Sequence, residues 1–323
     1  MAEVLSLVLP FFALIALGFV AAKAAGLKAE GSLAGLTTFI VYLALPALFF
    51  QTLAKTPLAD LSRFDFVAAT TTAALLAFLL AFAAGLLIER GKMPEATIQG
   101  LAGGYGNVGY LAPGLTIGAF GATAAAPTAL VTCFDNTLMF TLAPLFMALG
   151  SGRREGAGRL ALRIARGVLF HPFILATLAG FLAAAVQFEP PEPVDRMLTY
   201  LRQAAAPCAL FAMGVTAAIR PVRRLPIELP VLLFAKLVFH PVAVYLLVSF
   251  VGDFDPIWTY SAVLMASLPT ATNVFVLAQQ YGVYVERASS TVVISTITAV
   301  VTVTLVLYLL RHGILPPDLM PHR

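Results

Sequence analysis

The stretch GGYGNVGYLAPGLTIG, from Gly103 to Gly118, decides how the chain must be read. It interrupts an apolar run with glycines, an asparagine and Pro113. A helix facing lipid cannot leave backbone N–H and C=O groups unpaired, so such a break is tolerated only where protein or a water-filled cavity receives those groups. The segment therefore predicts a discontinuous membrane helix.

The surrounding chain supports a membrane setting. Of 323 residues, 60% are hydrophobic and 11% charged, whereas soluble domains carry about 25% charged residues. Apolar windows of roughly 20 residues, enough to cross the hydrocarbon core, recur throughout. The alternation expected of a β-barrel is absent. The fold class is all-α and polytopic, with ten transmembrane helices at 4–24, 33–54, 66–88, 96–119, 124–149, 168–187, 195–219, 227–250, 256–280 and 288–311. The first apolar run has no basic segment before it and is too long for a cleaved leader, so it is expected to persist. The longest loop is Gly150–Arg159.

The net charge of +4 reflects sidedness, not nucleic-acid binding. Thirteen of the twenty Lys and Arg residues fall on one side, among them Arg153, Arg154, Arg159, Arg163 and Arg166, against five on the other. The richer side is expected to be cytoplasmic. That puts both termini outside a cell inner (plasma) membrane.

The halves repeat. PFFALIALGFV from Pro10 aligns with PFILATLAGFL from Pro172 at an offset of 162, pairing Pro10/Pro172, Phe11/Phe173, Gly18/Gly180 and Phe19/Phe181. Pro46 aligns with Pro207 at 161. Five spans per half invert the second copy, which predicts inverted repeats at 1–150 and 151–323, a transporter arrangement. The fourth span of the second half, MASLPTATNVFVLAQQYG (Met265–Gly282), carries Pro269 where the first half carries Pro113. Either interruption alone reads equally well as a healed proline kink. Paired interruptions point to broken helices 4 and 9 and to a binding site between them. The N-terminus of each second half-helix offers free N–H groups and the positive end of a dipole, which suits an anion. Asn107, Tyr110, Pro113 and Gly114 in the first break, and Pro269, Thr270, Thr272 and Asn273 in the second, are the candidate substrate-binding residues.

The segments YLALPALFFQTLA, GNVGYLAPGL and LPTATNVFVLAQQYG resemble those of the auxin efflux carrier family, which includes plant PIN carriers and bacterial malate and malonate permease-like proteins. The resemblance covers nearly the whole chain. Pro269 to Tyr281 is its most specific part. The absence of a long loop between spans five and six is similar to compact bacterial members. The resemblance implies that helices 4 and 9 cross at their prolines. It also implies a homodimeric scaffold of helices 1, 2, 6 and 7, a moving transport domain of helices 3–5 and 8–10, and small organic anions, mostly carboxylates, as cargo.

Asp135 and Lys236 lie near mid-membrane depth, where charge is costly and is either functional or paired. They read equally as a coupling or substrate-neutralising cluster, joined by Asn136, and as a structural pair fixing helix register. His240, four residues after Lys236, shares its helix face; it either relays protons or, the commoner case, bonds a carbonyl freed by Pro241. Ser295, Thr298 and Thr302 share a face of span ten and either line the site or bond their own helix. Arg202 snorkels to the outer interface, and Trp258 anchors at it. Cys133 and Cys208 are buried small hydrophobes.

Neither metal-ligand spacing nor a Walker loop occurs, and no nucleophile elbow occurs, so no enzyme and no cofactor are expected. Coupling to H+ or Na+ stays open. The leading expectation is a secondary transporter of small organic anions. The alternatives are a sodium-coupled symporter or cation/proton antiporter of related fold, and a membrane sensor that binds without transporting. The expected partners are the anion, the bilayer and a second copy of the chain, with no nucleic acid.

Overall fold

The computed structural model describes residues 2–26, 28–150, 157–170, 172–219 and 225–319. Most of the loop from Gly150 to Arg159, with Arg153 and Arg154, lies outside the described residues, as do His171, Arg220, Arg223, Arg224 and Arg323.

The described residues are helical: α1 (Ala2–Ala25), α2 (Lys28–Phe39), α3 (Leu45–Ala54), α4 (Leu58–Leu61), α5 (Phe64–Ile88), α6 (Met93–Gly104), α7 (Ala112–Phe120), α8 (Ala125–Gly150), α9 (Ala157–Leu169), α10 (Pro172–Ala185), α11 (Glu192–Ile219), α12 (Leu229–Phe234), α13 (His240–Val251), α14 (Pro256–Ala266), α15 (Thr272–Tyr281) and α16 (Val285–Arg311). Among the described residues, six helical stretches are long and apolar enough to cross a membrane: Leu33–Ala54, Phe64–Ile88, Ala122–Gly150, Glu192–Ile219, Leu229–Val251 and Val285–Arg311. Leu9–Ala25 and Ile174–Ala185 are shorter apolar helices.

Two spans widen into π-helix, at Ile40–Ala44 and Ala235–Phe239. Each stands just before a proline, Pro46 or Pro241. Proline supplies no N–H to the preceding turn and its ring crowds that carbonyl, and a π-bulge relieves the crowding, often at functional sites.

Expected spans four and nine are both interrupted. The first leaves helix after Gly104 and resumes at Ala112; the second leaves after Ala266 and resumes at Thr272. Pro269 stands inside its break, as expected. Pro113 does not: it occupies the first turn of α7, where a missing N–H costs nothing and the fixed φ suits a helix start. One expected segment also changes character. The residues before span six form a separate helix, α9, ahead of Pro172.

The chain divides into two compact units. The first comprises residues 1–63, 109–133 and 170–221; the second comprises 64–108, 134–169 and 222–323. In the first unit, α1 packs on α11 and α10 on α3 through glycines. A methyl on Gly18 would collide with the Phe211 carbonyl, and one on Gly180 would lie 3.0 Å from the Phe50 carbonyl oxygen. Gly18 pairs with Gly180 at offset 162, and Phe50 with Phe211 at 161. The same close approach is thus made twice, with the halves exchanging roles. At one end of this unit Gln51 Nε2 donates to Asp195 Oδ1 at 2.8 Å and to Thr199 Oγ1 at 2.8 Å, and Lys55 pairs with Asp195 at 3.0 Å.

In the second unit α6 lies against α5 through Gly100, Gly103 and Gly104, where any methyl would strike Phe78 or the Ala77–Ala81 turn. Phe78, Phe82 and Phe146 form an aromatic cluster beside them. Just past the C-terminal end of α5, Arg287 bonds both Glu89 and Glu228, Gln99 donates to Glu89 at 3.3 Å, and Tyr284 donates to Glu228. Burial, followed by the bond to Glu228 and that carboxylate's charge, holds the Tyr284 hydroxyl far above the ordinary phenol range.

Candidate functional site

The site is built where the two interrupted helices exchange backbone hydrogen bonds within the second unit. Gly106 and Thr270 form an isolated antiparallel bridge. Asn107 N–H donates to the Pro269 carbonyl at 2.8 Å, and Ala271 N–H donates to the Tyr105 carbonyl at 2.9 Å. Each break thereby satisfies backbone groups that the other leaves unpaired, which a buried break requires. The partner of Pro269 is therefore Gly106–Asn107, in keeping with the repeat offset of 162 that pairs Asn107 with Pro269, and not Pro113, as the resemblance implies. A glycine fits because a methyl there would lie 3.2 Å from Lys236 Nζ.

Side chains complete the closure. Thr270 Oγ1 donates to the Ala102 carbonyl at 2.9 Å, near the C-terminal end of α6, and Thr270 N–H donates to Ser295 Oγ at 3.2 Å. Tyr105, 1% exposed, hydrogen-bonds Asn136 Oδ1 through its hydroxyl and accepts from Asn273 Nδ2 at 2.9 Å. Sequence reasoning passed over Tyr105. The signal was its place in GGYGN, where a ring with a polar tip sits at a helix end.

The N-terminus of α15 has no side-chain cap. Thr272 Oγ1, in its first turn, is buried with no hydrogen-bond partner among the described residues. A helix N-terminus of this kind offers N–H donors and a positive dipole end.

Lys236 lies on the π-helical turn and is fully buried. Its ammonium donates to the Ala266 carbonyl at 2.6 Å, in the last turn of α14, and meets His240 Nδ1 at 2.9 Å. Which of the two donates depends on the His240 tautomer. His240 thus engages Lys236 and not the carbonyl that Pro241 frees. Asp135 is 3% exposed and interacts with the Lys236 charge. Its Oδ1 has no hydrogen-bond partner among the described residues. Of the span-ten hydroxyls, Ser295 reaches the crossover, while Thr298 bonds its own helix at Ile294.

Tyr110, Pro113 and Gly114 belong to the first unit. Tyr110 packs against its hydrophobic core, and a methyl on Gly114 would meet the Phe11 ring. Thr116 and Thr128 share a hydrogen bond of 2.7 Å there.

Comparison with known proteins identifies the family. The family model described as "Membrane transport protein" matches residues 3–157 and 158–307. The chain belongs to the auxin efflux carrier family of membrane transport proteins. A protein of Rhizobium meliloti (strain 1021) named "Putative malonate transporter" is 54% identical over 321 residues, 99% of this chain and 100% of the relative. An "Uncharacterized transporter" of Methanothermobacter thermautotrophicus (strain ATCC 29096 / DSM 1053 / JCM 10044 / NBRC 100330 / Delta H) is 28% identical over 303 residues, covering 92% and 95%. The chain is thus a membrane transporter related by sequence to other transporters.

Proposed function

We propose that this family member is a secondary carrier of small carboxylates, dicarboxylates of malonate size foremost, bound at the crossover. The observation that carries the reading is the reciprocal backbone pairing of Tyr105–Asn107 with Pro269–Ala271 beside an uncapped α15 N-terminus. A carboxylate there meets N–H donors, the unpartnered Thr272 hydroxyl and the Asn273 amide. The relative named for malonate supports the size and charge of the cargo.

The carrier reading takes the second unit as the moving body, because Tyr105, Asn107, Asp135, Asn136, Lys236, Thr270 and Asn273 all belong to it. Elevator-type alternating access, ten spans in two inverted repeats and a homodimeric scaffold of helices 1, 2, 6 and 7 complete the proposal. The doubled glycine approach at Gly18 and Gly180 supports the repeat.

Coupling to protons is favoured over coupling to Na+. In broken-helix carriers the C-terminal end of a half-helix takes the cation, and here the Lys236 ammonium is bonded to that end of α14. A tethered cation makes a free one redundant. The unpartnered Oδ1 of Asp135 is the proton acceptor.

Uptake of labelled malonate, malate and monocarboxylates into proteoliposomes tests this, with Na+ or choline outside and with or without a pH gradient. Malonate-sized dicarboxylates should move fastest, at rates that ignore the Na+ replacement and rise with the gradient. Asp135→Asn should abolish the gradient effect, and Lys236→Met should cut flux at least tenfold. Strict Na+ dependence would favour the symporter. Binding without flux would favour the sensor.

A further inference from the structure

The helix AGRLALRIARGVL, α9, supplies no residue to the crossover site described above. Its thirteen residues are too few to span the roughly 30 Å hydrocarbon core. It connects α8, which is long and apolar enough to span, to the apolar α10. Helical spacing puts Arg159, Arg163 and Arg166 on one face and Leu160, Ala161, Ile164, Ala165 and Val168 on the opposite one. No acidic residue falls within it. Arg159 and Arg166 are exposed, and so are Leu162 at 62% and Leu169 at 51%.

An orientation signal needs only basic residues in a loop. It does not need them placed on one face of a helix with an apolar face behind. That pattern belongs to helices that lie in the membrane surface with the apolar face among acyl chains and the cationic face at headgroup level. The charge within α9 is single-signed, and the sequence just upstream adds Arg153, Arg154 and Glu155, a further net positive charge of one. Basic clusters of this kind beside a membrane helix select anionic lipid.

We propose that α9 is a membrane-surface helix that docks on an anionic phospholipid leaflet through Arg159, Arg163 and Arg166. It ties the link between the two halves of the chain to the lipid surface. The inference rests on the membrane setting and is independent of which anion the carrier moves.

The test uses the full chain in nanodiscs of phosphatidylcholine alone or mixed with phosphatidylglycerol. Trp258 is the one tryptophan, so Trp258→Phe gives a silent background for single reporters. Ala161→Trp, on the apolar face, should be strongly quenched by lipids brominated on the acyl chain, and Arg159→Trp on the basic face weakly. Phosphatidylglycerol retained by the purified protein should fall about fivefold for each Arg→Gln change at 159, 163 and 166, and Arg→Lys at all three should keep it. Equal quenching on both faces, or none on either, overturns the proposal. So does a Gln variant that retains the anionic lipid. A Gln variant that fails to fold leaves the quenching contrast to decide.

Discussion

At the residue scale, the polar atoms of the crossover serve the backbone. Thr270 spends its hydroxyl on the Ala102 carbonyl and its amide on Ser295, so it holds the crossover closed. Asn273 and Thr272 stand one turn further on, where the donors of α15 are uncapped. Tyr105 links the two groups by joining Asn136 and Asn273. Tyr105→Phe leaves the Asn273 amide without that acceptor, and a lost buried partner costs about 1–3 kcal/mol. Malonate flux should therefore fall about tenfold or more with the protein still monodisperse in detergent. Unchanged flux would remove Tyr105 from the site. Asn107, Thr270 and Asn273 were legible in sequence as polar residues beside a break. Tyr105 was passed over although it stands in GGYGN, because a tyrosine's role there depends on hydroxyl partners, Asn136 and Asn273, that the sequence does not show.

At the element scale, glycine sets how closely helices approach. Gly18 and Gly180 face carbonyl oxygens of Phe211 and Phe50, and Gly214 faces that of Ile15. Backbone cannot give way as a side-chain tip does, and inserting a methylene into a packed contact costs about 1–3 kcal/mol. Gly18→Ala and Gly180→Ala should each lower the melting temperature in detergent by several degrees. Gly35→Ala, with open space around it, should be neutral or slightly stabilising, since alanine favours helix by about 1 kcal/mol. Equal melting temperatures for all three would show that the close approaches are not limiting. The break in the fourth span was legible in GGYGN. Its pairing was not read from the chain: the family resemblance suggested a crossing at Pro113, but Pro113 starts α7 while Gly106 meets Thr270.

At the scale of the whole molecule, each unit has its own means of cohesion. The second is bound at one end by Glu89, Glu228, Tyr284 and Arg287, drawn from the turn after α5, the approach to α12 and the start of α16. The Tyr284 hydroxyl titrates above its ordinary value of 10.0 because burial, the Glu228 bond and the Glu228 charge all favour the neutral form. A raised pKa in the folded state contributes stability that is complete below the unfolded value and is lost as pH climbs through the folded one. Thermal stability should thus be insensitive to Tyr284 ionisation at neutral pH and should decline on the alkaline side of 10.0. In Tyr284→Phe that share of the alkaline decline should be missing, and the neutral-pH melting temperature should be lower. Parallel alkaline curves for the two proteins would assign the decline to other groups.

The sequence by itself determined the membrane class, because so apolar a composition leaves no soluble fold. It determined the two interruptions, because glycine, proline and asparagine clusters break a helix wherever they fall. It also showed the candidate residues of the second break and the family to which the chain belongs. Only the tertiary structure decided what closes the breaks. Hydrogen bonds between residues over 160 positions apart, such as Thr270 to Ala102 and Asn273 to Tyr105, leave no local pattern in a chain. The same holds for Lys236: its depth was legible, but its bonds to the Ala266 carbonyl and to His240 depend on where α14 ends in space. Periodicity records which face of a helix is apolar. It does not record which backbone carbonyl that face will meet.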